Sequence, residues 1–185
     1  MNHLSPAHLE IVRKAKKVAV ITGAGVSAES GIPTFRGTGG YWKNYRAEDL
    51  ATPEAFGRDP KLVWEWYEMR RAVCAEAKPN PAHQTIQKME AFYNNFFLIT
   101  QNVDGLHRRA GSKNVVQIHG DIFTSRCTKC KNISELLEHP LPVIPPLCKI
   151  CGSMLRPHIV WFGESYFPGI LEGCYTYLRD CELLF

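Results

Sequence analysis

The sequence predicts an α/β protein: a parallel sheet carrying helices, broken by a helical insertion and by a small zinc-ribbon module. Three observations carry that prediction. Short β-branched or aromatic apolar runs alternate with segments of helical periodicity, the pattern of parallel strands joined by crossover helices. The first such run is closed at once by Gly23-Ala24-Gly25. Two Cys-x-x-Cys pairs lie in a stretch where periodicity disappears and prolines accumulate. A length of 185 residues suits one substantial domain with a small satellite.

The elements follow in order. Pro6 to Lys16 carries Leu9, Ile11, Val12 and Ala15 among charges, an amphipathic helix with Ser5 as cap and Pro6 in the first helical position. Val18 to Thr22 reads as a buried parallel strand. Residues 31–60, rich in Gly, Pro and aromatics without a period, read as a long functional loop. Pro60 to Ala77 and Pro81 to Tyr93 read as helices, and Phe96 to Thr100 and Val115 to His119 as strands. Ile159 to Phe162 is extended, Pro168 to Arg179 helical, and Cys181 to Phe185 begins another buried strand. The interruptions divide the chain into three parts. Residues 1–36, 78–122 and 158–185 form the sheet domain, 37–77 a loop and helical module, and 123–157 the cysteine module.

Composition narrows the function classes. No apolar run approaches the roughly 18–20 residues that span a bilayer, so no membrane partner is expected. Met1 to Lys17 mixes His, Glu, Arg and Lys and does not resemble an export signal. With seven cysteines, an odd number, a disulfide framework is disfavoured and a cytoplasmic location is expected. The formal charge of +4 is too mild to imply nucleic acid.

Cys127-Thr128-Lys129-Cys130 and Cys148-Lys149-Ile150-Cys151 are separated by 17 residues, the spacing of a zinc ribbon. Four thiolates complete a tetrahedron and leave no open position for water, so one structural zinc ion is expected. Redox pairs or disulfides are the other reading of the same spacing. Cys74, Cys174 and Cys181 have no partner in sequence and are expected to fill the core. The 123–157 segment holds five Lys/Arg against two Glu, about +1 once four thiolates and Zn²⁺ are counted, a weak footprint for binding phosphates.

Gly23-Ala24-Gly25-Val26-Ser27-Ala28 satisfies G-x-G-x-x-G/A after a strand, with Ser27 to Ser30 placed to open a helix. Such a turn lets a pyrophosphate approach the backbone, as in a Rossmann-like domain. A plain strand–helix turn would look the same. A dehydrogenase would continue with an acidic residue about 20 positions on, where this chain has the aromatic loop Gly37 to Tyr45. The turn therefore fits a dinucleotide without implying hydride transfer.

Three stretches together resemble the sirtuin signature: Gly23 to Arg36 (GAGVSAESGIPTFR), Thr100 to His107 (TQNVDGLH) and His119-Gly120-Asp121. The resemblance runs from about Lys17 to the last residue and implies an NAD-dependent protein-lysine deacylase. It implies that Gly23, Ala24, Gly25, Ala28, Phe35 and Arg36 cradle NAD, and that Gln101, Asn102 and Asp104 hold the nicotinamide and its ribose. In the family mechanism the acyl oxygen attacks C1′ of that ribose and nicotinamide leaves. His119 is then the general base that activates a ribose hydroxyl, which captures the acyl group as O-acyl-ADP-ribose. The pKa of histidine suits that task. Outside the motif, a strand-end histidine is ordinarily structural, as His107 is taken to be. Val160, Trp161, Phe162 and Gly163 resemble the strand on which the acylated-lysine protein substrate pairs by backbone hydrogen bonds.

Val63, Tyr67, Arg70 and Cys74 recur at helical spacing and share one face. A guanidinium on that stripe either snorkels to solvent beside Arg71 or meets an anionic partner. Trp64 to Arg71 resembles the Tyr-x-x-Arg segment of the desuccinylase/demalonylase branch, and Ala51 resembles the small residue that widens its acyl pocket. Thr34 stands where many deacetylases have Asp. Arg70 would hold a dicarboxylate's free end bidentately, so succinyl-, malonyl- or glutaryl-lysine is expected as substrate, with acetyl-lysine also accepted. An NAD-dependent ADP-ribosyltransferase and a zinc-ribbon binding module with an inactive enzyme domain are the alternatives. The family continues past Cys181 to Phe185 into a Gly-Thr-Ser segment and strands that hold the adenosine half of NAD, so this chain is expected to bind NAD poorly.

Overall fold

A computed structural model describes residues 5–34, 41–42 and 45–185. Helix α1 (Pro6–Lys14) leads into strand β1 (Lys17–Thr22), which runs into a 3-10 segment over Ala24–Ser30. The ribbon β2 (Tyr41–Trp42) and β3 (Tyr45–Arg46) precedes helices α2 (Ala47–Leu50), α3 (Pro53–Arg58) and α4 (Pro60–Glu76). Then come α5 (Pro81–Phe92), β4 (Asn95–Thr100), α6 (Leu106–Arg109) and β5 (Val115–Gln117). Strands β6 (Gly120–Cys127), β7 (Ile133–Glu135) and β8 (Leu155–Ile159), helix α7 (Ile170–Leu178) and strand β9 (Leu183–Leu184) complete the order.

Four helices begin by the same local rule: a side-chain acceptor followed by proline. Ser5-Pro6, Thr52-Pro53, Asp59-Pro60 and Asn80-Pro81 open α1, α3, α4 and α5. The cap oxygen takes an otherwise orphaned N–H, and proline lacks the N–H that would be orphaned beside it. Thr52 Oγ1 accepts from Ala55 N at 3.0 Å and Asp59 Oδ1 from Leu62 N at 2.9 Å.

The main sheet has the order β5-β4-β1-β9, and every pairing in it is parallel. Its strands are apolar on both faces: Val18, Ala19 and Val20 in β1, and Phe96, Leu98 and Ile99 in β4, are buried. From β1 the chain adds β4 and β5 on one side and β9 on the other, so β1 flanks a topological switch point. In open α/β sheets ligands bind outside the carboxyl ends of the strands at such a point. Here those ends deliver Gly23, Gln101 and, two residues past β5, His119.

The second sheet is antiparallel, in the order β7-β6-β8. Sequence periodicity does not reveal β6, which pairs with β8 and carries Cys127 at its end. Helix α4 lies against this sheet. Val63, Trp64, Trp66, Tyr67 and Cys74 join Ile122, Leu155, Ile159 and Trp161 in one core cluster. Trp64 Nε1–H donates to Leu155 O at 2.8 Å.

The polar residue that α4 buries completely is Arg71, at 0 % exposure, while Arg70 is half-buried. The Arg71 guanidinium donates to Ile122 O, Leu136 O and Glu138 O at 2.9, 2.7 and 2.6 Å and pairs with Glu68. Glu68 also accepts from Leu141 N at 2.9 Å and approaches His139 Nδ1 at 3.2 Å. One buried ion pair on α4 therefore satisfies both β6 and the 136–141 segment of the cysteine module. Among the described residues no helix is long and apolar enough to cross a membrane.

Candidate active site

The glycine turn leaves β1 and winds as a 3-10 segment rather than the α-helix expected from Ser27 to Ser30; it stops at Gly31, where φ is +83°. Ala24, Gly25 and Ala28 are exposed, and a Cβ built on Gly23 or Gly25 meets nothing within 4 Å. The turn thus presents open backbone at the carboxyl edge of the sheet, as a pyrophosphate cradle requires. Phe35 and Arg36, expected to complete it, lie outside the described residues.

Beneath this turn is a chain of buried polar side chains. Ser27, 1 % exposed, donates from Oγ to Asp104 Oδ2 at 2.7 Å and accepts from Asn102 Nδ2 at 3.1 Å. Asp104 Oδ1 accepts the Leu106 N–H at 2.8 Å. Asn102 donates its backbone N–H to Thr100 Oγ1 at 3.1 Å, and Gln101 N bonds Thr22 O at 3.0 Å. Gln101 is exposed while Asn102 and Asp104 are buried, so one face of the site is open and the other is fixed.

His83 and His107 pack below at a tilt, with ring centroids 4.7 Å apart and planes 56° to one another. His83 Nε2 lies 3.4 Å from Ser27 Oγ, and its Nδ1 faces Asn80 Oδ1 at 3.0 Å. His107 Nε2 meets Thr22 Oγ1 at 2.9 Å. Burial lowers both imidazoles, and His107 falls to about 4, with burial first, His83 second and Asp104 opposing. Both rings are neutral at physiological pH.

His119 sits where β5 has ended and β6 is about to begin. Its Nδ1 is 3.0 Å from Gln101 O, and its Nε2 is 3.4 Å from the Tyr166 hydroxyl. A carbonyl only accepts, so Nδ1 carries the hydrogen of the neutral ring and Nε2 keeps its lone pair. The next residue, Gly120, has φ +91°, and a Cβ there would come within 2.0 Å of His158 O. Only glycine allows β6 and β8 to close this tightly beside His119.

The candidate substrate residues converge on one place. Phe162 N donates to Ala51 O at 3.0 Å, and Val160 N to His119 O at 2.9 Å. Ala51 (5 %), Tyr67 (1 %) and Trp161 (2 %) are buried in the same cluster, whereas Phe162 and Gly163 are exposed. The Trp161 side chain is turned inward: its indole N–H donates to the Tyr67 hydroxyl at 2.8 Å, and its backbone N–H to Glu164 Oε2 at 3.0 Å. The Arg70 guanidinium lies over the Trp66 and Tyr67 rings, at 4.9 and 5.8 Å.

The four module cysteines bring their sulfurs within 4.8 Å of one another. Cys127 and Cys151 are 3.4 Å apart, Cys130 and Cys148 3.7 Å. A tetrahedron with Zn–S bonds near 2.3 Å needs sulfurs about 3.8 Å apart, so the set fits one zinc ion. Each knuckle turns at the residue after its second cysteine, Lys131 at φ 63° and Gly152 at φ 70°.

Comparisons with known proteins give the family. The family model for the Sir2 family matches residues 23–185. The chain belongs to the Sir2 family. An NAD-dependent protein deacylase of Aquifex aeolicus is 54% identical over 166 residues, covering 90% of this chain and 70% of that protein. The mitochondrial NAD-dependent protein deacylase sirtuin-5 of Canis lupus familiaris is 46% identical over 200 residues, covering 94% of this chain and 64% of that protein. The crystal structure of a Sir2 homologue–NAD complex superposes with a TM-score of 0.92 at 45% identity, covering 99% of this chain and 72% of that one.

Within the Sir2 fold the structure adds residues that the sequence reading passes over. Ser27 lies inside the glycine motif, yet its part is to link Asn102 and Asp104. Asn80 and His83 begin α5, and their only local signal is a helix cap. Asn80 Nδ2 also donates to Val26 O at 2.7 Å, tying α5 to the glycine turn.

Proposed function

We propose that this chain removes acyl groups from protein lysines with NAD as co-substrate, releasing nicotinamide and O-acyl-ADP-ribose. The observation that carries the reading is the orientation of His119, whose Nδ1 is committed to Gln101 O, leaving Nε2 to take a proton. NAD supplies the carbon that accepts the acyl oxygen and the ribose hydroxyl that later captures the acyl group. Gln101, Asn102 and Asp104 hold the nicotinamide end, Asn102 and Asp104 fixed in turn by Ser27. Gly23, Ala24, Gly25 and Ala28 leave room for the pyrophosphate. Val160 and Phe162, whose N–H groups are donated to His119 O and Ala51 O, offer their carbonyls to the substrate peptide, and Gly163 its exposed backbone. Cys127, Cys130, Cys148 and Cys151 hold a zinc ion that fixes the small module.

For the acyl group, the reading is a carboxylate-tipped chain: succinyl, malonyl or glutaryl, with acetyl also accepted. Ala51 takes little volume, Tyr67 keeps a hydroxyl proton to donate, and the Arg70 fork matches a carboxylate. The test compares kcat/KM on succinyl and acetyl versions of one peptide, with and without Arg70→Met. A selective loss on the succinyl peptide supports the reading, and equal loss on both removes it. His119→Ala should abolish turnover of both peptides. Recovery of ADP-ribosylated protein in place of O-acyl-ADP-ribose would show the alternative transferase chemistry.

A further inference from the structure

We propose that Trp161, held by Arg156 and Glu164, is a positioning residue that aims the Tyr67 hydroxyl at the acid end of a carboxylate-tipped acyl group. The inference rests on the reading of Tyr67 and Arg70 as the acyl-end residues. It starts from the direction of one hydrogen bond. An indole N–H only donates, so at 2.8 Å the Tyr67 oxygen is the acceptor and its own proton points elsewhere. The tyrosine ring cannot swing to change this. Trp66 packs edge-on at 4.7 Å between centroids, Trp64 at 6.5 Å, and the residue is 1 % exposed. With ring and oxygen both fixed, the hydroxyl proton keeps a narrow set of directions, away from the indole.

Trp161 is itself clamped. The Arg156 guanidinium carbon lies 3.5 Å from the indole centroid, and the same guanidinium grips Glu164 through two bonds of 2.7 and 2.8 Å. Glu164 closes the circuit by accepting the Trp161 backbone N–H at 3.0 Å. Phe56 covers the indole with ring centroids 5.4 Å apart. A cation over the π face polarises the indole and strengthens its N–H as a donor. A phenol oxygen that accepts a strong hydrogen bond becomes a better donor through its own O–H, because bonds in a chain polarise one another. The order Glu164, Arg156, Trp161, Tyr67 therefore both orients and sharpens the hydroxyl that a carboxylate would meet. It also joins the exposed Phe162–Gly163 backbone, where a peptide would lie, to the residues that would choose its acyl group.

Trp161→Phe tests the idea, since it keeps an aromatic ring under Arg156 while removing the N–H donor together with part of the buried ring system. The ratio of succinyl to acetyl kcat/KM should fall about tenfold, the size of one hydrogen bond to a charged group, chiefly through a higher KM for the succinyl peptide. Tyr67→Phe should lower the ratio equally, and the double variant should fall no further than either single one. Glu164→Gln loosens Arg156 without opening the core and should lower the ratio in the same direction; it decides the matter if Trp161→Phe does not fold. Independent, multiplicative losses in the double variant, or equal losses on both peptides, overturn the positioning role. A ratio that falls in Arg70→Met but stays at the wild-type value in Trp161→Phe and Glu164→Gln rejects positioning alone. A ratio that does not move in Arg70→Met rejects the acyl-end reading on which the proposal rests.

Discussion

Arg71→Met is the substitution whose cost the structure specifies most directly. Methionine occupies a similar volume, so the change removes charge and donors rather than packing. It strands Ile122 O, Leu136 O and Glu138 O, and it leaves Glu68, 8 % exposed, with only the Leu141 and His139 contacts. A stranded buried polar group costs about 1–3 kcal/mol, and breaking a buried ion pair from one side about 3–5 kcal/mol. The carbonyls of Leu136 and Glu138 belong to a segment that water can reach once the guanidinium is gone, so the ion-pair figure dominates. A loss of about 3–5 kcal/mol in a chain of this size lowers Tm by roughly 6–20 °C. It is also a large share of the stability of an ordinary domain. The assay is thermal unfolding with zinc present, followed by far-UV circular dichroism. Adding Glu68→Leu to Arg71→Met removes the stranded charge and should recover part of the loss. A Tm within about 2 °C of wild type for Arg71→Met would refute the reasoning, as would a double variant less stable than the single one.

Three further outcomes follow from particular contacts. Gly120→Ala places a methyl where only 2.0 Å separates it from His158 O and so displaces His119; kcat should fall about 100-fold or more while zinc content stays at wild type, and kcat within twofold would show the turn to be tolerant. His107 has a folded pKa of about 4 against its ordinary 6.5. The unfolded chain therefore binds the proton first, and the stability present above pH 6.5 declines as pH falls from 6.5 to 4, by about 3 kcal/mol at most. Urea unfolding of His107→Gln should show a flatter profile across that window, and parallel profiles for the two proteins would contradict the shift. Removing zinc with a chelator should expose the thiols of Cys127, Cys130, Cys148 and Cys151 to a thiol reagent and unfold the module they close; thiols that react equally before and after chelation would mean that no zinc was held.

The parts of the site readable in the sequence are those that the chain writes locally. A parallel strand ends, and the next residues are those of the candidate site: Gly23 to Gly25 after β1, Gln101 to Asp104 after β4, His119 after β5. Cysteine pairs announce themselves because both ligands of a knuckle come from one turn. The alternation of strands and helices was equally plain, since burial of both faces makes each strand a continuous apolar run. Strand β6 escaped this test because it alternates polar and apolar residues over a half-covered sheet and merges into the cysteine module without a break. Val63, Tyr67 and Cys74 do share the buried face of α4 with Arg70 at its edge, but the full burial of Arg71 is not legible locally for a related reason. A 3.6-residue period places Arg70 and Arg71 on neighbouring faces, and nothing local says which one a distant sheet will cover. The answer lies in three carbonyls from 51 to 67 residues away.

What holds the site in place is written at long range. Ser27 and Asp104 are 77 residues apart and Trp161 and Tyr67 are 94 apart, yet each pair shares one buried hydrogen bond. Such pairs involve a serine inside a glycine motif, a tryptophan in an extended run and a tyrosine on a helix, residues that each have an ordinary local explanation. Their function appears only when hydrogen-bond direction is asked of each partner: the serine must donate to a carboxylate, the indole must donate to a phenol, and a carbonyl must accept from His119. Those three directions fix where Asn102 and Asp104 stand, where the Tyr67 proton points, and which nitrogen of His119 is basic. Chemistry at this site is thus set less by which residues are present, which the sequence declares, than by the donor–acceptor polarity that distant partners impose on them.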